Sequence, residues 1–347
     1  MILQTYSLEV ITPCFCGGAE PDQRAEIRPA SIRGQLRWWF RVLGGFKSLP
    51  HQSVEEQEAM IFGSTAGDDG TAGMLTVRVK CNSISRDYPA PGMQSPEGYF
   101  LFPLRNNPRH QIPAGQLFEL QFLWRGGPSL AGDLSALASV FGNLGSLGFR
   151  SRRAMGALFL RSGMGLALAL NRFNNSAQAI HVAEIQGNFQ PQNQIPAEAR
   201  AIAGLANWLK DWRSHGRTVD HAWATTPNPP YNSGFTYAKN DHDIGYNMPQ
   251  TAQSPAFRPA LGLPIIQRTQ RGANQWNQRQ NASGRFASPV ILRPHKDAQG
   301  HWHALVIFVE AKKWPQGQRV YLNGQPRAVS LDLYDAMKHD KRLQPFP

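Results

Sequence analysis

Cysteines and long apolar runs are scarce in this 347-residue sequence. Three cysteines, Cys14, Cys16 and Cys81, are too few and too odd in number for a disulfide framework. The longest apolar runs, such as Ala304–Val309, fall far short of the roughly 20 residues that span a bilayer. Residues Met1–Val10 carry no basic leader, unlike a secretory signal peptide. We therefore expect a soluble cytoplasmic protein that does not enter a membrane.

Acidic side chains are also scarce, and three long stretches have none. The chain has 36 basic and 24 acidic residues, which gives a formal net charge of +12. Residues 27–54, 134–183 and 244–296 together hold 17 basic residues, 15 of them arginine, and no Asp or Glu. Arginine binds phosphate through two hydrogen bonds and stacks on bases, so these stretches favour a nucleic-acid partner. Charge alone fits a generically basic surface equally well.

The order of the elements predicts an α+β fold. In the first half, helices are expected from Pro29, over 54–62 and from Leu130. Strand patterns cover 2–12, 74–81, 99–104, 116–124 and 157–161. With the short helix and one surplus strand set aside, the order is β-α-β-β-α-β, the split βαβ or ferredoxin-like arrangement.

The second half gives weaker patterns. Two helices are expected, over 197–213 and 331–339, and three strands, over 288–293, 302–310 and 319–322. Residues 216–287 are rich in Pro, Asn, Gln and Gly and predict a long irregular segment. Within it, residues 267–281 combine eight Asn or Gln with Arg268, Arg271, Arg279 and Trp276. That mixture suits single-stranded RNA, although a disordered polar loop has much the same composition.

Two arginine-rich motifs are candidate phosphate contacts. The helix from Pro29, with Ser31 as its expected cap, carries Arg33, Arg37 and Arg41 four residues apart, and Arg28 precedes it. No acidic residue occurs between Arg28 and Lys47, so the row is expected to meet an external anion. The second motif runs from Gly145 to Gly156 and supplies Arg150, Arg152 and Arg153 from a backbone that can turn with positive φ. It lacks the Lys-Ser/Thr ending of a nucleotide P-loop, so ATP binding is not indicated.

Catalytic patterns are poor. Cys14-x-Cys16 has no matching pair downstream and reads better as a buried strand end than as a metal site. His295, His301 and His303 lie close in sequence but lack a completing ligand cluster, and Asp241-His242-Asp243 is expected to be a solvated turn. We therefore predict no catalytic residue, metal or cofactor.

Four blocks resemble the RAMP superfamily of CRISPR proteins, and most of all the subunit-one family of the Cmr (type III-B) effector complex. One block of this chain resembles the family's N-terminal signature and runs Arg28-Pro-Ala-Ser-Ile-Arg-Gly-Gln-Leu-Arg-Trp-Trp-Phe-Arg41. A second block, Leu144–Gly156, is similar to the family's glycine-rich loop. The other two blocks resemble two C-terminal blocks of the same family, and in this chain they are Phe257–Ile265 and Arg285–Pro294. One departure is Ala154-Met155, where the family pattern has a glycine and an aromatic residue.

The resemblance implies two tandem ferredoxin-like (RRM-like) domains, which we place at residues 1–165 and 166–347, with residues 216–287 as an insertion in the second. It implies a non-catalytic, RNA-binding subunit that caps the filament near the 3′ end of the guide RNA and helps to engage target RNA. Its partners would be guide RNA, target RNA and other Cmr subunits. Arg258, Arg268, Arg271, Arg279, Arg285 and Arg293 would guide the strand end.

Two alternatives remain open from the sequence. One is a metal-independent RAMP endoribonuclease that processes guide RNA through a histidine, with His295, His301 or His303 as acid or base. The other is a structural adaptor whose arginines meet acidic protein neighbours.

Overall fold

The computed structural model describes all residues except 19, 21–22, 66–69, 83–84, 89–94, 106–108, 214–236, 270–271, 281–284 and 347, and the side chains of 105, 250, 268, 269 and 272. The helices of the N-terminal half are α1 (Pro29–Val42), α2 (Val54–Phe62), α3 (Pro96–Leu101) and α4 (Ala131–Leu144). Its strands are β1 (Ile2–Val10), β2 (Gly63–Ser64), β3 (Thr71–Ala72), β4 (Leu75–Lys80), β5 (Arg86–Asp87), β6 (His110–Gln111), β7 (Leu117–Trp124) and β8 (Leu158–Leu160).

The first sheet has the strand order β4-β7-β1-β8, with all neighbours antiparallel. Alternate residues of β1, including Tyr6 and Leu8, face a core shared with α1 and α4. Pro29 occupies the first turn of α1, where its missing N–H leaves no bond unmade. The N-cap is Arg28, which makes no side-chain cap, so the expectation that Ser31 caps this helix is wrong.

Within the described residues, the second half contributes five α-helices and the strands of two further four-stranded sheets. Its helices are α5 (Leu166–Leu170), α6 (Ser176–Ala179), α7 (Ala197–Arg213), α8 (Tyr237–Gly245) and α9 (Asp332–Lys338). Its strands are β9 (His181–Ile185), β10 (Ile265–Thr269), β11 (Gly272–Asn277), β12 (Val290–Lys296), β13 (Trp302–Phe308), β14 (Val320–Leu322), β15 (Gln325–Arg327) and β16 (Leu343–Pro345).

The second sheet has the order β12-β13-β9-β16 and packs on α7 and α9. The third sheet, β10-β11-β14-β15, has a smaller core around Trp276 and Trp314. The α+β class is thus confirmed, with antiparallel sheets throughout the described residues. None of the described helices is long and apolar enough to cross a membrane.

The glycine-rich loop (residues 145–156) joins the first sheet to the second. Leu292 of β12 donates its N–H to Arg152 O at 3.2 Å and accepts from the Ala154 N–H at 2.9 Å. Ala154 is fully buried and holds a φ of +67°, so it adopts the left-handed conformation that glycine would take more cheaply. The Ala154-Met155 departure therefore leaves the turn of the loop intact.

Two expected elements differ from the structure. The alternating pattern of residues 99–104 predicts a strand, but these residues belong to α3 and the 3-10 helix Phe102–Arg105. Ser95 starts α3 because its Oγ accepts the Gly98 N–H at 3.0 Å. Residues 267–281 were expected to be flexible, yet most of them form the β10–β11 hairpin, which Trp276 anchors in the third core.

Candidate nucleic-acid interface

Arginines from distant parts of the chain converge on one cleft of about 620 Å³. Its walls come from the glycine-rich loop, the α3 region, the end of α7 and two C-terminal segments, 258–266 and 285–288. Within the described residues, no Asp or Glu lines it. We call it the arginine cleft after the six that line it, Arg150, Arg152, Arg153, Arg213, Arg258 and Arg285.

Arg152 and Arg153 are held by neutral acceptors. Arg152 Nη1 donates to Ser288 O at 2.7 Å, and its guanidinium lies 4.7 Å from the ring centroid of Trp38 on α1. Arg153 donates to Val290 O at 2.9 Å and to Ser288 Oγ at 3.2 Å. These bonds fix the loop against the start of β12. Because the acceptors are uncharged, these bonds do not neutralise the positive charge of either guanidinium.

Crowding of cations is visible in the arginine pKa values. Burial, followed by the nearby charge of Arg213, lowers the pKa of Arg153 to about 9. The same two causes lower the pKa of Arg150, and burial lowers the pKa of Arg152. A pKa of about 9 leaves the Arg153 guanidinium protonated at neutral pH. An anion in the cleft would relieve this repulsion, so the electrostatics favour a polyanionic ligand.

Arg258 is positioned from behind by Asp241 of α8. Asp241 is fully buried and accepts the backbone N–H groups of Phe257 at 2.9 Å and Arg258 at 2.6 Å. Arg258 Nε lies 3.4 Å from the same carboxylate, and its side chain is 15% exposed. Burial raises the pKa of Asp241, which Arg258 and the two N–H groups oppose. The expectation of a solvated turn at 241–243 is therefore wrong, since the segment is helical and Asp241 is internal.

Arg213 is a cleft residue that the sequence pattern did not single out. It is the last residue of α7, where a basic side chain is ordinary because it complements the helix dipole. Only the fold shows that this helix end points its final turn at the cleft. Arg285, by contrast, belongs to a recognised block and is exposed.

The arginine row of α1 does not reach the cleft. Arg37 Nε donates to Glu58 Oε1 at 2.7 Å, and Arg41 Nε lies 3.4 Å from Glu58 Oε2. Arg33 donates to the carbonyl oxygen of Phe62. The expectation that this row lacks an internal partner is therefore wrong, because α2 places a buried carboxylate beside it.

The prediction that Arg293 contacts RNA is wrong, because the residue is 0% exposed. Its Nε donates to Gly145 O at 3.0 Å and its Nη2 to Gly142 O at 3.0 Å and to the Leu158 carbonyl. Gly142 lies in the last turn of α4, whose final carbonyls have no intrahelical donor. Arg293 therefore joins β12 to α4 and β8.

The remaining predicted residues fall outside the cleft or outside the described residues. Arg28 and Arg279 are exposed but do not line it, and Ser31 is half-buried in the first turn of α1. Arg271 and the side chain of Arg268 lie outside the described residues.

None of the described histidines lines the arginine cleft. His303 Nδ1 lies 2.6 Å from Glu184 Oε2, and His301 Nδ1 lies 3.2 Å from Asp297 Oδ2. His295 Nδ1 faces Arg293 Nη1 at 3.2 Å and must accept from it, since a guanidinium only donates. Burial, followed by the Arg293 and His303 charges, lowers the pKa of His295 to about 3. A neutral imidazole of that pKa is a poor general acid or base near pH 7.

The low pKa of His295 predicts that the free energy of unfolding falls at acid pH. Its value in the unfolded chain is about 6.5, so between pH 6.5 and 3 the unfolded state binds the extra proton and stability falls as the pH falls. We expect this group to remove about 3 kcal/mol of unfolding free energy between pH 7 and pH 4. Urea denaturation of wild type and His295→Asn, which keeps an acceptor for Arg293, measures it. Equal pH dependence in the two proteins would contradict the assignment.

Comparison with known proteins shows which proteins this chain resembles. A model of the RAMP superfamily matches residues 7–158, which include β4 and β7, parts of β1 and β8, and the whole glycine-rich loop. The RAMP-superfamily resemblance drawn from the motifs is therefore confirmed, and the family model matches residues 7–158.

The chain is also similar to Cmr1 proteins of Pyrococcus furiosus. It is 44% identical over 61 residues to CRISPR system Cmr subunit Cmr1-2, covering 17% of this chain and 32% of that protein. It is 29% identical over 166 residues to Cmr subunit Cmr1-1, covering 46% and 47%. These alignments span from a third to about half the length of the curated relatives.

The fold extends the similarity along most of the chain. The crystal structure of Cmr1 from Pyrococcus furiosus in its apo form superposes with a TM-score of 0.51 at 17% identity, covering 92% of this chain and 89% of that one. At this identity the match establishes a shared fold.

Proposed function

We propose that this chain is a non-catalytic RNA-binding subunit of a type III-B (Cmr) CRISPR effector complex. Its arginine cleft would hold the ribose-phosphate backbone of guide or target RNA near the guide's 3′ end. The observation that carries the proposal is the convergence of six arginines on a cleft that no described carboxylate lines. Partners would be guide RNA, target RNA and other Cmr subunits, by analogy with the Cmr1 proteins that the chain resembles.

The proposal includes two tandem ferredoxin-like domains. Along the chain, β1, α1, β4, β7, α4 and β8 follow the order β-α-β-β-α-β, and so do β9, α7, β12, β13, α9 and β16. In the first sheet β7 pairs with β4 and β1, and β8 pairs with β1. In the second sheet β13 pairs with β12 and β9, and β16 pairs with β9. The two sheets therefore have the same pairing pattern. The cleft would then lie where the loop of the first domain meets the start of β12 in the second.

If guanidiniums bind the RNA phosphates, the number of contacts sets how steeply the RNA affinity falls with salt concentration. Within the described residues, four of the cleft arginines make no side-chain hydrogen bond to a backbone carbonyl oxygen, so four phosphate contacts are available: Arg150, Arg213, Arg258 and Arg285. Each contact to a single strand contributes about −0.7 to the slope of log affinity against log salt. Fluorescence anisotropy of the full chain with a labelled 20-nucleotide RNA should therefore give a slope near −3. No binding at 50 mM salt would instead support the adaptor.

The nuclease alternative is tested on the same preparation. Incubation with guide-precursor RNA in EDTA should leave the RNA intact. Discrete products that disappear in a His303→Ala variant would favour a histidine-dependent nuclease, because His303 lies against two carboxylates, Glu184 and Asp297.

A further inference from the structure

Aromatic rings and guanidiniums alternate at the edge of the arginine cleft. The Arg109 guanidinium carbon lies 4.9 Å from the Phe149 ring centroid. Arg150 lies 5.5 Å from the same ring and 5.3 Å from the ring of Phe102. We call Arg109, Phe149, Arg150 and Phe102 the Arg–Phe ladder. Each spacing is within the range of a cation–π contact.

The outer end of the Arg–Phe ladder is open to solvent. Phe102 is 60% exposed, which is unusual for a large aromatic side chain in a folded protein, and it lines the cleft. Arg150 covers one side of its ring. The exposed remainder has the character of a stacking surface at the mouth of a cationic cleft.

The ladder rests on rigid supports. Phe149 N donates to Phe15 O at 3.0 Å, which fixes the glycine-rich loop to the end of the first strand region. Phe102 directly follows α3, whose Phe100 and Leu101 are buried in the second core. Arg150 holds a φ of +63°, a conformation that costs a non-glycine residue about 1 kcal/mol. The fold therefore maintains a strained residue that places a guanidinium between two rings.

The backbone carbonyl oxygen of Arg150 accepts the Arg153 N–H at 2.7 Å, but hydrogen bonding within the described residues does not explain the position of its side chain. Its Nε is buried and makes no hydrogen bond within the described part of the chain. Its guanidinium lies between the rings of Phe149 and Phe102, so the side chain is positioned by the ladder.

We propose that Phe102 is a stacking platform for an unpaired nucleobase of the RNA strand held in the arginine cleft. This rests on the proposed function and deepens it, because it names the ligand as a single-stranded segment with a base turned outward. Aromatic side chains stack on any base, and a neighbouring guanidinium strengthens such stacks. Bases inside a duplex are already stacked on both faces, so the platform selects single-stranded RNA or a frayed end.

Substitution of Phe102 separates stacking from charge. The probe is a single-stranded RNA 20-mer that carries 2-aminopurine at its 3′ end, whose fluorescence is quenched by stacking. In the full chain, Phe102→Ala should weaken binding at least about fivefold and abolish the quenching, with the salt slope unchanged. Phe102→Trp should retain both binding and quenching. Leu168→Ala, which removes an equally exposed apolar side chain elsewhere (65%), should behave as wild type.

The outcomes distinguish the platform from the cleft itself. If Phe102→Ala binds and quenches as wild type does while Arg285→Ala binds more weakly, the platform is refuted and the cleft stands. A change in salt slope for Phe102→Ala would also overturn it, since stacking releases no counterions. If neither variant affects binding, the proposed function fails with it.

Discussion

Arg285→Ala is expected to weaken single-stranded RNA binding at least about tenfold near 100 mM salt, because a hydrogen bond to a charged group contributes about 1.5–3 kcal/mol. Arg285 is exposed, lines the cleft and makes no ion pair with a described residue, so its loss removes a phosphate contact without unfolding anything. The slope of log affinity against log salt should become shallower by about 0.7. Anisotropy titrations between 50 and 300 mM salt measure both quantities.

The matched control for Arg285→Ala is Arg78→Ala. Arg78 is an exposed arginine on β4, so the substitution changes the net charge equally at a site away from the cleft. If both variants lose the same affinity, binding follows overall charge rather than the cleft. Arg37→Ala should likewise affect RNA binding little, because Arg37 is paired with Glu58.

Arg293→Met is expected to cost about 3–5 kcal/mol of unfolding free energy, the usual range for breaking a buried charged network. The thioether fills part of the space but leaves the carbonyls of Gly142, Gly145 and Leu158 buried without a donor. A melting temperature at least about 6 °C below wild type should follow. Differential scanning calorimetry measures this directly.

Arg319→Met is the control for Arg293, since Arg319 is exposed and its loss should shift the melting temperature very little. A melting temperature of Arg293→Met equal to that of the control would show that the buried guanidinium does not hold β12 to α4 and β8.

Periodic elements could be predicted from the sequence with accuracy. The bounds of α2 and α7 are those expected, and α1 ends before Gly44 and Gly45, both of which adopt positive φ. These helices carry their own signals, in apolar spacing and end residues. The strand predicted over residues 99–104 was wrong because its short alternating pattern does not show that Ser95 and Pro96 start a helix just before it.

The site could be predicted only in part, because its geometry is set by long-range contacts. The glycine-rich loop and the block at Arg285 were both singled out, and the fold brings them into one cleft. The sequence does not show which partners other elements bring to each arginine. Glu58 of α2 pairs with Arg37 and Arg41 of α1. Arg293 is buried and donates to the end of α4. A charge count records arginines but not what each one faces.

Photocrosslinking of the full chain to single-stranded RNA containing 4-thiouridine, with the peptides identified by mass spectrometry, tests the central claim most directly. If the arginine cleft grips the strand, crosslinks fall in peptides that contain Phe149–Arg153, residues 258–266 or residues 285–288. Crosslinks confined to α1 or to the outer face of the first sheet would contradict it.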